Sequence, residues 1–302
     1  MTAGPESRVR PVKIGVVPAG GLGTRFLPIT RTVPKELLPI VDTAVIELVV
    51  SELALSGIER VVLVVGPGKE SIAGYFRPQP KIEARLAAAG RTEELALLKR
   101  PEGLVQVQSV VQAEAKGNGH AVLMAAELVG NEPFAMLWGD DLMLADDPPI
   151  AQLLRARERL GGGSVIGCVR VSKKDARHYG MVAGTAERGA TRVRAVIEKP
   201  APEDAPSDLA AVHGYVLEPE IFEVLASLPP GRGGEIWLTD AITVLAQSGA
   251  PVWAVEVEGR RYDAGDKAGY VAAFLDAALG REDTGPATRE HLKTLGWHPP
   301  DR

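Results

Sequence analysis

The sequence has very little cysteine, and it has no excess of positive charge. One cysteine, Cys168, among 302 residues excludes an internal disulfide and a cysteine-rich zinc site. Its place in the apolar run SVIGCVRV indicates burial as a small hydrophobic side chain. Lys and Arg total 34 against 39 Asp and Glu. The resulting net charge of −5 argues against a protein that coats nucleic acid, which needs a clear basic excess.

Long hydrophobic runs are also absent. No apolar stretch approaches the ~18 residues that a membrane-spanning helix needs, and residues 1–13 contain no apolar signal segment. We therefore expect a cytoplasmic protein with no membrane association. A length of 302 residues with 45% hydrophobic residues is enough to bury a large core.

The order of apolar runs predicts an α/β fold. A β-branched run at 12–17 is followed by a helical pattern over 45–58 and a second strand from Val61, which makes a strand–helix–strand unit. Such continuous Val and Ile runs are typical of a parallel sheet covered on both faces. Further strands are predicted at 105–111, 134–138, 164–171, 193–200, 211–217 and 252–258, and further helices at 81–100 (two, divided at Gly90), 119–129, 150–160, 219–228, 238–249 and 268–280.

No polar linker, repeat or low-complexity block interrupts residues 11–280, which indicates a single domain. Residues 1–10 are expected to form a flexible N-terminal segment. Residues 281–302 are polar and contain proline, and we expect them to form a C-terminal tail or an oligomer contact.

A glycine-rich segment, PAGGLGTRF, follows the first predicted strand, where an α/β sheet offers its ligand crevice. No Gly-Lys-Ser/Thr follows, so it is not a Walker A loop, and Phe26 occupies the third glycine position of the dinucleotide fingerprint. A nicotinamide-dependent dehydrogenase is disfavoured for that reason. Glycines allow backbone N–H groups to approach an anion, and nearby cations strengthen the contact, although a plain turn with solvated basic residues is an alternative. The candidate anion contacts are Gly20, Gly21, Gly23, Arg25 and Lys35.

Acidic residues follow several predicted strands: Asp140 and Asp141, then Glu198, then Asp263. If Asp140 and Asp263 converge at one edge of the sheet, they form a hard oxygen site for Mg²⁺, which takes one or two carboxylates plus phosphate oxygens. Taken singly, each carboxylate is more often a cap or turn residue. With cations, a phosphate loop and no candidate nucleophile, the pattern favours phosphoryl or nucleotidyl transfer, in which the substrate brings its own nucleophile.

Eight short motifs, in order along almost the whole chain, carry a family resemblance. They are GLGTRFLP (21–28), PKELLPIVD (34–42), KGNGHAV (116–122), GDD (139–141), YGMV (179–182), EKP (198–200), PPGRGGEIWLTD (229–240) and RYDAGDK (261–267). With these motifs the chain resembles the bacterial UTP–glucose-1-phosphate uridylyltransferases, a group within the sugar nucleotidyltransferase family.

The resemblance implies a Rossmann-like mixed, mostly parallel sheet flanked by helices, that is, a nucleotidyltransferase fold of the glycosyltransferase-A-like type. It implies a nucleotide-binding half at about 11–140 and a sugar-binding half at about 141–280. The implied reaction is Mg²⁺-dependent: glucose 1-phosphate attacks the α-phosphorus of UTP, giving UDP-glucose and pyrophosphate. A homo-oligomer is also implied, with no nucleic-acid or membrane partner.

The resemblance also implies roles for individual residues. Arg25, Lys35, Lys199 and Asp140 are the expected catalytic residues, with Asp140 and Asp263 as metal ligands. The expected nucleotide-binding residues are Gly20, Gly21, Gly23, Thr24, Glu36, Gln112 and Gly117, of which Glu36, Gln112 and Gly117 are expected at the base. The expected sugar-binding residues are Gly180, Glu198 and Lys199.

The sequence departs from the family pattern at positions that affect specificity rather than catalysis. Asn118 stands where Leu is usual, His213-Gly214 replaces Gly-Arg, Trp237 replaces Gln, and Asp266 replaces Ser. A sister enzyme that uses dTTP or galactose 1-phosphate therefore stays open, as does a less favoured inactive regulatory paralogue. His120 is expected to pack or cap at the start of a helix rather than act as a general base.

Overall fold

The structure is a computed structural model, and it describes residues 9–297. Most of the expected N-terminal segment, residues 1–8, and the end of the expected tail, residues 298–302, lie outside the described residues. Within the tail, Gly285–Thr294 forms a helix. In the described part of the chain, no helix is both long and apolar enough to cross a membrane.

The strands and helices alternate along the chain in the order that the apolar runs predict. The strands are β1 (Ile14–Ala19), β2 (Pro39–Ile40), β3 (Thr43–Ala44), β4 (Arg60–Val65), β5 (Gln106–Val111), β6 (Phe134–Leu137), β7 (Asp141–Leu144), β8 (Ser164–Arg170), β9 (Gly180–Glu187), β10 (Ala190–Glu198), β11 (Leu209–Leu217), β12 (Val252–Glu256) and β13 (Arg260–Asp263). The helices are α1 (Val45–Leu55), α2 (Glu70–Gly74), α3 (Pro80–Ala88), α4 (Thr92–Lys99), α5 (Asn118–Leu123), α6 (Ala126–Val129), α7 (Pro149–Leu160), α8 (Glu220–Ser227), α9 (Leu238–Gln247), α10 (Lys267–Gly280) and α11 (Gly285–Thr294).

Nine strands form one mixed sheet in the order β5-β4-β1-β6-β11-β8-β12-β10-β9. The strands β5, β4, β1 and β6 are parallel neighbours, as are β8 and β12. β11 runs antiparallel to β6 and to β8, and β10 runs antiparallel to β12 and to β9. The expected mixed α/β sheet with flanking helices is confirmed, and its continuous parallel block lies in the first half of the chain.

Both faces of the central strands are buried, because successive side chains of a strand point to opposite faces. In β4, Val61 and Leu63 join one apolar cluster, whereas Val62 and Val64 join the other. The helix α1 covers the first face through side chains such as Leu53, and α9 covers the second through side chains such as Ile242. Cys168 is fully buried as expected, and burial raises the pKa of its thiol.

Five strands (β2, β3, β7, β9 and β13) and two helices (α2 and α11) escaped prediction from the sequence, and one predicted helix is divided. β2 and β3 have only two residues each, and β7 and β13 only four, so none of them contains an apolar run long enough to predict a strand. β7 and β13 pair only with each other. β9 contains GMVAGTAE, in which small residues weaken the alternation expected of a strand. The helix predicted over 119–129 is two short helices, α5 and α6. The break at Gly90 is confirmed between α3 and α4.

Candidate active site

The carboxyl ends of the parallel block bring four chain segments to one edge of the sheet. Gly20 follows β1, Gly66 follows β4, Gln112 follows β5 and Trp138 follows β6. All four residues line one cavity of about 520 Å³. The parallel direction of these strands is the reason that residues distant in sequence share a single pocket.

The glycine loop lies directly against the loop that follows β4. A Cβ added at Gly66 would come within 2.9 Å of the Gly20 carbonyl oxygen, so neither backbone leaves room for a larger side chain there. The ammonium of Lys69 donates to the Gly21 carbonyl and also lies 3.1 Å from Oε2 of Glu36. Lys69 therefore anchors the glycine loop and a predicted base-contacting residue at once.

Glu36 lines the cavity but its side chain is almost fully buried. Burial raises the pKa of this carboxyl, while the nearby charges of Lys69 and Lys35 oppose the shift. In this structure the carboxylate thus faces Lys69, and its expected contact with a base stays a prediction.

The next part of the loop turns at Gly23, whose φ of +66° lies in the left-handed region that glycine adopts without strain. The hydroxyl of Thr30 donates to the Gly23 carbonyl at 2.8 Å, which holds the turn. Thr24 begins a single 3₁₀ turn, Thr24–Phe26, and is exposed to solvent. The turn projects the next side chain, Arg25, back toward the edge of the sheet.

A charged centre forms where this loop meets the two-stranded antiparallel sheet of β7 and β13. Lys35 forms an ion pair with Asp140, and Arg25 Nη1 lies 3.8 Å from Asp263 Oδ2 and donates to the Gly265 carbonyl at 3.3 Å. Burial, and then the neighbouring charge of Asp140, raise the pKa of Asp263. Asp140 Oδ2 and Asp263 Oδ1 both lie within 3.0 Å of the position that a Cβ on Gly265 would take, so the two carboxylates converge beside that glycine.

Residues 9–297 contain no cluster of three or more His, Cys, Asp or Glu side chains that could enclose a metal ion. Two carboxylates are nevertheless the number that Mg²⁺ takes from a protein when phosphate oxygens and water complete its ligands. The oxygens of Asp140 and Asp263, brought together and partly desolvated, fit that ion.

The expected base site is built from Gln112 and the loop around Gly117. Gly117 has a φ of +103°, and a Cβ there would come within 2.5 Å of the carbonyl oxygen of Ile236. Asn118 Oδ1 accepts from the Leu238 N–H at 2.9 Å, at the first turn of α9. Asn118, which stands where the family usually has Leu, therefore links the loop around Gly117 to residues 229–240.

A second cavity, of about 170 Å³, adjoins the first, and Trp138 and Asn118 line both. The predicted sugar-binding residues Gly180, Glu198 and Lys199 all line it. Gly180 and Glu198 are paired across β9 and β10, which explains their proximity.

Lys199 adopts a φ of +47°, an unusual conformation for a residue with a side chain. Its N–H donates to the Tyr179 carbonyl at 2.9 Å, which holds this conformation. Its ammonium lies 3.6 Å from Glu198 Oε1 and 5.4 Å from the centre of the Trp237 ring. The departure at Trp237 therefore supplies an aromatic face beneath the cation expected at the sugar phosphate.

Asp141 is the first residue of β7, whereas Asp140 lies in the turn before that strand, and the two side chains have different surroundings. It is buried and accepts two hydrogen bonds from the Arg261 guanidinium, at 2.9 and 2.6 Å. His213 lies beside it, with Nδ1 3.6 Å from Asp141 Oδ1 and Nε2 2.8 Å from Glu52 Oε2. Arg261 also lines the smaller cavity and lies over the ring of Tyr179.

Sequence reasoning missed Lys69, Trp138 and Arg261 as members of the site. Lys69 follows a strand end, as Gly20 does, so its place after β4 was a usable indication. Arg261 begins the motif RYDAGDK, and Trp138 directly precedes the motif GDD. Neither residue has a recognisable spacing to the other site residues.

The comparisons with known proteins agree with this geometry. The model of the nucleotidyl transferase family matches residues 14–279. The UTP–glucose-1-phosphate uridylyltransferase 2 of Staphylococcus saprophyticus is 41% identical over 95% of this chain and 99% of its own length.

Two solved structures share the fold closely. A UTP-bound UGPase from Acinetobacter baumannii is 33% identical with a TM-score of 0.86, covering 94% of this chain and 99% of its own. A UDP-glucose pyrophosphorylase complexed with UDP-glucose is 35% identical with a TM-score of 0.78, covering 89% of this chain and 100% of its own. The chain therefore belongs to the nucleotidyl transferase family and, within it, to the group of UTP–glucose-1-phosphate uridylyltransferases.

Proposed function

We propose that this chain transfers the uridylyl group of UTP to α-D-glucose 1-phosphate, giving UDP-glucose and pyrophosphate. The observation that carries the proposal is the meeting of Lys35, Asp140, Asp263 and Arg25 beside two adjoining cavities. A nucleotide fits the larger cavity, with its base toward Gln112, and a sugar fits the smaller one. The relatives named above support this choice of substrates.

In this proposal the residues of the larger cavity bind the nucleotide and those of the smaller cavity bind the sugar phosphate. The N–H groups of the glycine loop, with Arg25 and Lys35, hold the nucleotide phosphates. Lys199 binds the phosphate of the sugar and Glu198 accepts from its hydroxyl groups. Residues of about 11–140 thus form the nucleotide-binding half and residues of about 141–280 the sugar-binding half of one domain.

Asp140 and Asp263 would hold Mg²⁺. When bound, the ion neutralises phosphate charge, which otherwise opposes the approach of two polyanions. Both carboxylates face cationic side chains in this structure, Asp140 facing Lys35 and Asp263 facing Arg25, which fits a site that accepts positive charge. Lys35, which pairs with Asp140, also lies beside Gly21 of the glycine loop and would bind a nucleotide phosphate there.

The chemistry needs no nucleophile from the protein. An oxygen of the sugar phosphate attacks the α-phosphorus of UTP, and the bond between that phosphorus and the bridging oxygen breaks, so that pyrophosphate leaves with the electron pair. Lys199 orients the attacking phosphate, while Arg25 and Lys35 stabilise charge on the leaving side. Positioning and charge neutralisation together supply the rate enhancement.

A substrate matrix tests the proposal: UTP, ATP, GTP, CTP and dTTP against several sugar 1-phosphates, with Mg²⁺, measuring pyrophosphate release and product mass. We expect a dominant signal with UTP and glucose 1-phosphate that is abolished by a chelator and by Asp140→Ala. Asp146→Ala, at an exposed carboxylate in the loop after β7, is the matched control and should keep full activity.

Other outcomes of the matrix are equally informative. A dominant signal with dTTP or galactose 1-phosphate would replace the proposed substrates and retain the reaction class. Tight nucleotide binding without any turnover would indicate a regulatory protein. A cytoplasmic location and a homo-oligomeric state, expected from the sequence, remain part of the proposal.

A further inference from the structure

The side-chain amide of Gln112 has only one polar atom left for a ligand. Its Nε2 lies 3.1 Å from the Gly117 carbonyl oxygen and 2.9 Å from Nδ1 of His120. A backbone carbonyl can only accept, so the amide atom that faces it is the nitrogen. Both hydrogens of the NH₂ group are then used within the protein, and His120 Nδ1 is the acceptor of one of them.

His120 is well suited to accept this bond. It lies in α5, behind Gln112 and outside the lining of the nucleotide cavity. Burial, and then the charge of Lys116, lower its pKa, so the ring is neutral at neutral pH. With its proton on Nε2, the neutral ring presents a lone pair at Nδ1.

Gln112 itself is held in place at the end of β5. Its N–H donates to the Val65 carbonyl at 2.8 Å, and its side chain is largely buried. Its Oε1 lies over Gly20, where an added Cβ would come within 3.3 Å of it. The carbonyl oxygen of the amide is therefore turned toward the glycine loop and the cavity.

We infer that His120 is a positioning residue that fixes the Gln112 amide with its oxygen toward the base and so selects a base that donates there. This inference rests on the proposed function, which places a uracil in the cavity. The only donor on the pairing edge of uracil is N3–H, which would meet Oε1. Cytosine has a lone pair at the same atom, and two acceptors face to face leave both unsatisfied.

With the His120 proton on Nε2, the bonds to the Gly117 carbonyl and to His120 Nδ1 together oppose a turned-over amide. A flipped amide would place Oε1 against both the Gly117 carbonyl and the lone pair of His120, and it would offer NH₂ to the base. Without the acceptor at 120, only the Gly117 contact opposes that flip. A buried acceptor left without a donor is costly enough that we expect about a tenfold or larger preference for uracil, which His120 would protect.

Nucleotide binding by calorimetry tests the inference without requiring turnover. The dissociation constants of UTP and CTP are measured for the wild type, His120→Leu and His120→Asn, with thermal unfolding as a check on folding. The leucine removes the acceptor, whereas Oδ1 of the asparagine replaces it. We expect the ratio of CTP to UTP dissociation constants to fall about tenfold in His120→Leu and to stay within about threefold of wild type in His120→Asn.

An equal loss of both nucleotides in His120→Leu, with the ratio unchanged, would overturn the inference. So would wild-type binding of 3-methyluridine triphosphate as tight as that of UTP, a measurement that needs no variant. A separate turnover assay with glucose 1-phosphate reports on the proposed function. Uracil-selective binding without turnover would refute that function while leaving the role of His120 intact.

Discussion

Replacing His213 by asparagine should remove a part of the folding free energy that depends on pH. His213 is buried between the carboxylates of Glu52 and Asp141. Burial lowers the pKa of the imidazole, but the charge of Glu52 and the contacts with Asp141 outweigh it and raise the pKa to about 9. Asparagine is a suitable replacement because it tolerates the φ of +62° that position 213 adopts.

The sign of the effect follows from linkage between protonation and folding. The pKa of His213 in the folded protein lies above its unfolded value of about 6.5, so the folded state holds the proton more tightly. The resulting stabilisation is complete below about pH 6.5 and is lost as the pH rises through about 9. The difference between the folded and unfolded pKa values of His213 corresponds to roughly 3 kcal/mol in the free energy of unfolding.

The assay is urea unfolding of the wild type and of His213→Asn at several pH values between 6 and 9.5. The wild type should lose roughly 3 kcal/mol relative to the variant across this interval. Subtracting the variant cancels the other groups that titrate in the same range. His291→Asn, at an exposed histidine of α11, is the control and should follow the wild type. A constant difference between wild type and His213→Asn would refute the protonated, doubly paired histidine.

Three further predictions concern the proposed reaction. Lys199→Ala should mainly raise the KM for the sugar phosphate and Arg25→Ala mainly lower kcat, and equal effects on both parameters in both variants would contradict this division. Trp237→Leu should raise the same KM roughly 3-fold by removing the aromatic face beneath Lys199, whereas Trp237→Phe should change it little; identical KM values for the two variants would exclude the cation–π contact. Gly265→Ala should reduce kcat at least ~10-fold, because its Cβ would collide with the Asp140 carboxylate, and wild-type turnover in that variant would show that Asp140 can move freely.

Much of the fold could be predicted from local pattern. The apolar runs of β1, β4 and β6 and the helical pattern of α1 predicted these elements within a few residues, because burial on both faces demands continuous hydrophobic sequence. Continuous hydrophobic sequence could not predict whether a strand runs parallel or antiparallel to its neighbours. β11 is as fully buried as β4, yet it is antiparallel to its neighbours.

Several individual residues of the candidate site could be predicted from the sequence. Gly20, Arg25 and Lys35 were identifiable because glycines and cations after a first strand favour an anion, and Asp140 because it follows another strand. Their meeting depends on parallel strands that end at one edge of the sheet. No local pattern distinguishes Asp140, which faces the cavity, from Asp141, which is buried against Arg261.

The sequence by itself determined the alternation of strands and helices, the glycine loop after the first strand and the set of charged residues, since each depends on neighbours in the chain. Only the tertiary structure decided which charges meet. The contacts of Lys69 with Glu36, of Gln112 with His120 and of His213 with Glu52 join separate elements. The energy of a charge or hydrogen bond depends on distance and burial in space, and neither can be read from separation along the chain.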